Sequence, residues 1–184
     1  MKKTTVASHI KRIRSVLVGF LGLMLLSCTG IPDGIEPVTG FDQSRYLGTW
    51  YEIARLDHSF ERGLSEVTAT YDLNPDGSIK VLNRGFDAEE GAWREAEGVA
   101  RLMGAADVAH LKVSFFGPFY GSYIVFELGE GYDYAFVSGF NRDYLWLLAR
   151  EPHITSELRS HFIETMTALD FDPAELVWLD KAAE

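Results

Sequence analysis

The chain has 184 residues, of which 47% are hydrophobic and 24% charged, and its net charge at pH 7 is −10. This length suits one globular domain with a targeting segment, and 13% aromatic residues with only six prolines argue against a disordered chain. An acidic surface repels phosphate backbones, so the composition argues against nucleic acid as a partner.

The first 27 residues predict an export signal. Five basic residues and no acidic ones precede Cys28, and residues 16–26 form an apolar run of 11 residues. This run is shorter than the roughly 20 residues of a membrane-spanning helix but has the length of a secretory signal, with a free-standing anchor helix as the alternative. Without residues 1–27 the chain keeps 12 basic and 27 acidic residues, a net charge of −15.

The predicted signal ends at the only cysteine of the chain, Cys28. The residues before it, Leu25-Leu26-Ser27, resemble the lipobox of bacterial lipoproteins, which implies that Cys28 is the lipid-attachment site. Thr29, rather than Asp, follows the cysteine, and the resemblance then implies an anchor in the cell outer membrane that faces the periplasm. A single cysteine rules out an intrachain disulfide. Residues 28–44, rich in Gly and Pro, are expected to be the lipidated cysteine and its tether.

Residues 45–182 are expected to form one domain, most of which alternates between apolar and polar residues. Eight short runs are bounded by turn residues, such as Asn74-Pro75-Asp76-Gly77, and each has the length of a β-strand. The runs are residues 49–57, 65–73, 78–86, 92–102, 108–116, 121–128, 132–140 and 143–150. Eight strands linked by hairpins favour an all-β, antiparallel up-and-down barrel, with a two-sheet sandwich as the alternative.

The end of the chain changes to the period of a helix. Thr155 can cap a helix in which four apolar residues recur at helical spacing, namely Leu158, Phe162, Met166 and Leu169. This stripe predicts that one C-terminal helix packs on the barrel wall. A short last strand is expected at residues 176–179.

Three short motifs resemble those of the lipocalin family. Gly48-Thr49-Trp50 lies on the first predicted strand, Asn141-Arg142-Asp143-Tyr144 lies between the seventh and eighth, and Arg150 ends the eighth. The resemblance spans residues 41–180 or so and implies an eight-stranded barrel that is open at one end. It implies that Trp50 plugs the closed end beneath Arg150. The residues that it marks as structural are Gly48, Trp50, Asp143, Tyr144 and Arg150.

Strand alternation predicts which residues face the interior of this barrel. If Trp50 points inward, side chains two residues apart on a strand share its side. The residues predicted to line a ligand cavity are Ala54, Leu56, Val67, Ala69, Val113, Phe115, Tyr123, Val125, Phe136 and Trp146. A mostly apolar lining with a few tyrosine hydroxyls suits an acyl chain whose polar head lies near the mouth. Each aromatic could instead belong to a packed core, and residues 116–121 could either touch lipid or fold back as a turn.

The resemblance implies a lipocalin that binds and stores or transports fatty acids, lysophospholipids or similar apolar ligands. The histidines are scattered and no catalytic motif is present, so no enzyme, metal or cofactor is expected. One alternative is a lipocalin-fold enzyme acting on a lipophilic substrate, for which Glu52 and His58 are the residues to watch. Another is a structural lipoprotein that binds nothing. Apolar rim residues suit either lipid or a second copy of the chain, which leaves a homodimer open.

Overall fold

The computed structural model describes residues 29–179, so the predicted signal and Cys28 lie outside the described residues. A short helix precedes the strands and a longer one follows the first eight. The elements are α1 Gln43–Tyr46, β1 Gly48–Leu56, β2 Leu64–Leu73, β3 Ile79–Asp87, β4 Ala92–Leu102, β5 His110–Ser114, β6 Gly121–Leu128, β7 Tyr134–Ser138, β8 Leu145–Ala149, α2 Ser156–Ala168, a 3-10 turn Pro173–Glu175 and β9 Leu176–Trp178. The ends of the eight predicted strands differ from these bounds by no more than two residues.

Strands β1 to β8 form a closed antiparallel barrel. Each strand pairs with the next one along the chain, and β8 pairs with β1. The first half of β1 pairs with β2, from Gly48 opposite Tyr71 to Tyr51 opposite Thr68. This ring of eight strands confirms the predicted up-and-down barrel and rules out the two-sheet sandwich. Strand β9 lies outside the ring, beside the end of β1.

One part of the barrel wall lacks interstrand hydrogen bonds. Strands β4 and β5 pair only from Val99 opposite Ser114 to Leu102 opposite Leu111. Residues 92–98 of β4 pair with β3 but have no strand partner on their other side within the described chain. The β3–β4 hairpin therefore extends beyond the level at which β5 ends.

Buried apolar residues lie on both sides of the barrel wall. One group fills the half of the barrel where β1 begins and includes Trp50. The other lies between the outside of the wall and α2, where the ring centres of Phe136 and Phe162 are 4.8 Å apart. Thr155 caps α2 by accepting a hydrogen bond from the backbone N–H of Leu158. Neither helix in residues 29–179 has the length and hydropathy needed to cross a membrane.

The segment predicted as a tether lies partly against the barrel. Ile35 and Phe41 are buried, each with 4% of its surface exposed. The backbone N–H of Val38 donates to the carbonyl of Val125 at 2.9 Å, and the carbonyl of Val38 accepts from Ala109 at 2.9 Å. Residues 29–42, named here the N-terminal strap, therefore continue along the outside of the barrel before α1 begins.

Candidate functional site

One end of the barrel is closed by Trp50 and the residues around it. Trp50 is fully buried, and its indole N–H donates to the carbonyl of Tyr46 in α1 at 2.8 Å. The guanidinium of Arg150, directly after β8, lies 3.9 Å from the centre of the Trp50 ring. It also donates to the carbonyls of Thr49 and Leu47, both at 2.8 Å. These contacts join α1, β1 and the end of β8 into a plug, so a ligand can enter only from elsewhere.

Gly48 permits the approach of Arg150 to this plug. Its φ of +92° is one that residues with a side chain rarely adopt, and an added Cβ would lie 3.4 Å from Nη1 of Arg150. The chain can therefore turn from α1 into β1 directly beneath the guanidinium.

The second motif lies where the sequence predicts it, between the seventh and eighth strands. Asp143 and Tyr144 belong to the β7–β8 turn at the open end, away from Arg150, and Tyr144 borders the cavity. The partners of Arg150 come instead from the β6–β7 turn, where the Tyr132 carbonyl accepts from its Nε at 3.3 Å and the Asp133 carbonyl accepts from its backbone N–H at 2.8 Å. The sequence of the β6–β7 turn, Tyr132-Asp133, resembles the Asp143-Tyr144 of the second motif. Successive hairpin turns lie at opposite ends of the barrel, so the β6–β7 turn is at the closed end and the β7–β8 turn is at the open end.

A cavity of about 250 Å³ occupies the barrel above the plug. Five residues predicted to line it do so, namely Ala69, Val113, Phe115, Tyr123 and Trp146. A second cavity of about 590 Å³ adjoins it at the open end, between β3, β4 and the β5–β6 loop, and Val67 lies on its wall. Glu61, Asn83 and Tyr144 border both cavities, so the two form one continuous space. Val125, also predicted to line the cavity, borders neither cavity and is instead fully buried in the packed core near the closed end.

Two predicted lining residues on β1 lie on the outside of the barrel instead. Glu52 borders the cavity, as alternation from Trp50 predicts, but the pairing of β1 with β8 shifts between Glu52 and Ala54. This β-bulge adds one residue and exchanges the two faces of the strand beyond it. Ala54 and Leu56 therefore pack in the group beneath α2, and the prediction for both is wrong.

Phe136 is a fourth lining prediction that the structure corrects. It is fully buried against α2, with Tyr134 beside it, while the intervening Ala135 packs with the residues inside the barrel. Both faces of β7 are buried, one by the barrel interior and one by the helix. Alternation of polar and apolar residues consequently gives no sign of which face is inward.

The cavity wall carries a buried ionic cluster next to its apolar lining. Arg55, turned inward by the bulge, donates to the carboxylate of Glu52 at 2.7 Å and to the backbone carbonyl of Glu61 at 2.8 Å. The indole N–H of Trp146 donates to the Glu61 carboxylate at 3.2 Å. Burial, followed by the charge of the neighbouring Glu61, raises the pKa of Glu52 well above its ordinary value. Burial also raises the pKa of Glu61.

His58 lies behind this cluster rather than on the cavity wall. Its ring stacks on Phe60, with 4.0 Å between centres, and burial followed by the charge of Arg55 lowers its pKa to about 4. Its Nε2 lies 3.2 Å from the Glu61 carboxylate, but the geometry makes no hydrogen bond for either ring nitrogen. Glu52 and His58 therefore do not form a nucleophile–base pair. Within residues 29–179, no three acidic, His or Cys side chains are grouped to hold a metal ion.

Three tyrosines form the floor of the cavity. The hydroxyl of Tyr123 lies 2.7 Å from that of Tyr46 and 2.9 Å from that of Tyr71. Tyr71 and Tyr123 border the cavity, while Tyr46 packs on Trp50 with 4.7 Å between ring centres. Strand alternation predicted that Tyr123 faces the cavity. The group of three also needs Tyr46 of α1, a helix that spans the predicted boundary between the tether and the barrel domain.

The chain is similar to known proteins over most of its length. A family model described as a lipocalin-like domain matches residues 41–181. The outer membrane lipoprotein Blc of Vibrio cholerae is 50% identical over 170 residues, which is 92% of this chain and 99% of the relative. The Blc lipoprotein of Escherichia coli is 49% identical over 150 residues, or 82% of this chain and 85% of the relative. Insecticyanin from the tobacco hornworm Manduca sexta shares the fold, with a TM-score of 0.65 and 18% identity over 83% of this chain and 87% of that one.

Proposed function

The chain belongs to the lipocalin-like family, and we propose on that basis that it binds fatty acids or lysophospholipids and stores or carries them. The observation that supports this proposal most is the apolar cavity, closed at one end by Trp50 and Arg150 and open at the other. Such a shape can enclose an acyl chain and leave a polar head near the mouth. Burial of each methylene contributes about 0.8 kcal/mol before the costs of association.

Mass spectrometry of bound lipid tests this proposal. The chain from Thr29 onward is purified, extracted with organic solvent, and the extract is analysed for fatty acids and lysophospholipids. We expect a stoichiometric acyl lipid, and saturable displacement of a fluorescent fatty acid by the lipid that is found. An empty extract together with no displacement would contradict a carrier of acyl lipids.

We further propose that the protein binds its ligand without converting it. Glu52 is held by Arg55, and His58 does not border the cavity. Incubation with a lysophospholipid is expected to return it unchanged. A product whose formation stops in Glu52→Gln or His58→Ala would favour an enzyme instead.

We also propose that Cys28 carries lipid and anchors the protein in the outer membrane, facing the periplasm. The relative from Vibrio cholerae, an outer membrane lipoprotein, supports this proposal. Metabolic labelling with a palmitate analogue is expected to mark the wild-type chain and to leave Cys28→Ala unlabelled and released from the membrane fraction. Labelling that persists in Cys28→Ala would place the lipid elsewhere.

A second copy of the chain is a proposed partner at the open end. Phe60, Phe116 and Phe119 are 57%, 81% and 66% exposed there, an apolar rim that a homodimer would cover. Sedimentation of the soluble chain at increasing concentration is expected to show a dimer that Phe116→Ser weakens. A monomer at all concentrations would contradict it.

A further inference from the structure

The three floor tyrosines leave one hydroxyl hydrogen without an acceptor. Each of the hydroxyls of Tyr46, Tyr71 and Tyr123 has one hydrogen to donate, but the cluster contains only two hydrogen bonds. Whatever the direction of these two bonds, one of the three hydrogens is not used within the cluster. In two of the three possible arrangements it belongs to Tyr71 or Tyr123, which border the cavity. Tyr71 is only 5% exposed, and a buried donor without an acceptor is unfavourable. The space beside Tyr71 and Tyr123 is the cavity.

The same cavity also has acceptors on its wall. Glu52 and Glu61 border the same cavity, and their carboxyl oxygens can accept hydrogen bonds. Burial raises the pKa of Tyr71 and of Tyr123, so both phenols stay protonated as donors. A hydroxyl is the smallest neutral group that can both accept from a phenol and donate to a carboxyl oxygen. A carboxylate at this depth would be desolvated, which disfavours its charged form.

We propose that Tyr71 and Tyr123, with Glu52 on the wall of the same cavity, form a polar subsite at the closed end of the cavity for a hydroxyl at the far end of an acyl chain. The subsite rests on the proposed function, because it requires that an acyl ligand enters the barrel. It extends that function to a ligand class, acyl chains that are oxygenated at the end remote from the head group.

A series of ω-hydroxy fatty acids of increasing length tests the subsite in the wild-type protein. Each acid and the unsubstituted acid of the same length compete with a dansyl-labelled undecanoic acid. In a cavity without a partner for it, the terminal hydroxyl weakens binding about tenfold or more. We expect this penalty to disappear at one chain length, where the hydroxyl reaches the floor, and to return for shorter and longer acids.

Removal of single hydroxyls identifies the floor as the cause. At the best length, Tyr71→Phe and Tyr123→Phe are expected to weaken binding of the hydroxy acid about five- to tenfold while the unsubstituted acid changes less than twofold. Tyr134→Phe is the matched control, because the Tyr134 hydroxyl bonds to Glu127 outside the barrel, and it should change neither.

Each outcome separates the subsite from the proposed function. A penalty of the same size at every length in the wild type, or an unchanged ratio of the two acids in both Phe variants, overturns the subsite and leaves the carrier function intact. Failure of both acids to displace the probe from the wild type overturns the carrier function and the subsite with it. If a Phe variant unfolds, the length series in the wild type decides alone.

Discussion

Trp50 and Trp93 each have an arginine guanidinium over the indole ring, one in a buried and one in an exposed position. Arg150 lies 3.9 Å from the ring of Trp50, which is fully buried, and Arg84 lies 3.7 Å from the ring of Trp93, which is 43% exposed. We expect Trp50→Ala to lower the free energy of unfolding by about 3–5 kcal/mol, because it empties the plug and frees Arg150. The matched change Trp93→Ala should cost less than about 1 kcal/mol. Urea unfolding measures both, and equal losses would contradict a structural role specific to Trp50.

His58 makes stability depend on pH in a defined direction. The pKa of His58 is about 4 in the folded protein and 6.5 in the unfolded chain, so between these values only the unfolded chain holds the proton. The stabilisation from neutral His58 is therefore complete above pH 6.5 and is lost as the pH falls toward 4. Relative to His58→Phe, we expect the wild type to lose about 2 kcal/mol between pH 7.5 and pH 5. Exposed His153→Phe is the control, and parallel pH profiles of wild type and His58→Phe would contradict the prediction.

Single residues were predictable where a motif marked them. The lipocalin resemblance singled out Trp50 and Arg150 together, and the structure places them in contact. Nothing in the sequence linked Glu52 to Arg55 and Glu61, because a bulge and a loop bring these side chains together. Such irregular backbone has no period in the sequence.

Within single elements, two alanines distinguish the face beneath the helix from the face toward the cavity. Ala69 on β2 borders the cavity, whereas Ala54 on β1 packs beneath α2 with none of its surface exposed. We expect Ala69→Leu to weaken ligand binding about tenfold or more with little loss of stability, because it fills open space. Ala54→Leu should lower the free energy of unfolding by about 1–3 kcal/mol through overpacking and leave ligand affinity unchanged. Displacement of a fluorescent fatty acid and thermal unfolding of both variants test this prediction. If Ala54→Leu weakened ligand binding and Ala69→Leu lowered stability, Ala54 would face the barrel interior instead.

The bounds of the strands followed from the sequence better than their faces did. Turn residues such as Pro75 and Gly77 fix where strands end, and the observed ends agree within two residues. The prediction of which side chains point into the barrel was correct along β5, where Val113 alternates with polar neighbours. It was wrong for Ala54 and Phe136. Because of the bulge in β1 and the helix that covers β7, alternation of apolar and polar residues no longer indicates which side chains face the barrel interior in these two strands.

Across the whole molecule, the N-terminal strap is expected to contribute to stability. Ile35 is 4% exposed and packs in the group beneath α2, whereas Ile31 in the same segment is 39% exposed. Ile35→Asp should lower the free energy of unfolding by about 3 kcal/mol, because it places a charge among apolar side chains. Ile31→Asp is the matched control and should change it by less than about 0.5 kcal/mol. Equal effects of the two changes would show that the strap does not pack on the barrel in solution.

The overall architecture could be predicted because hairpin-linked strands leave few topologies. The strap could not, because its packing depends on isolated apolar residues, Ile35 and Phe41, in a segment rich in Gly and Pro. A single buried residue gives no periodic signal. The strap also carries part of its contact through backbone groups, such as Val38, whose hydrogen bonds are independent of side-chain type.

The unpaired part of β4 affects how the barrel can deform. No backbone hydrogen bonds join residues 92–98 of β4 to β5. The β3–β4 hairpin can therefore move outward without breaking any hydrogen bond between β4 and β5. The outer cavity lies directly inside this part of the wall. The rim can therefore widen on this side without loss of β4–β5 pairing. Amide hydrogens that point from residues 92–98 toward the gap are consequently open to exchange with solvent even when the rest of the barrel is fully folded.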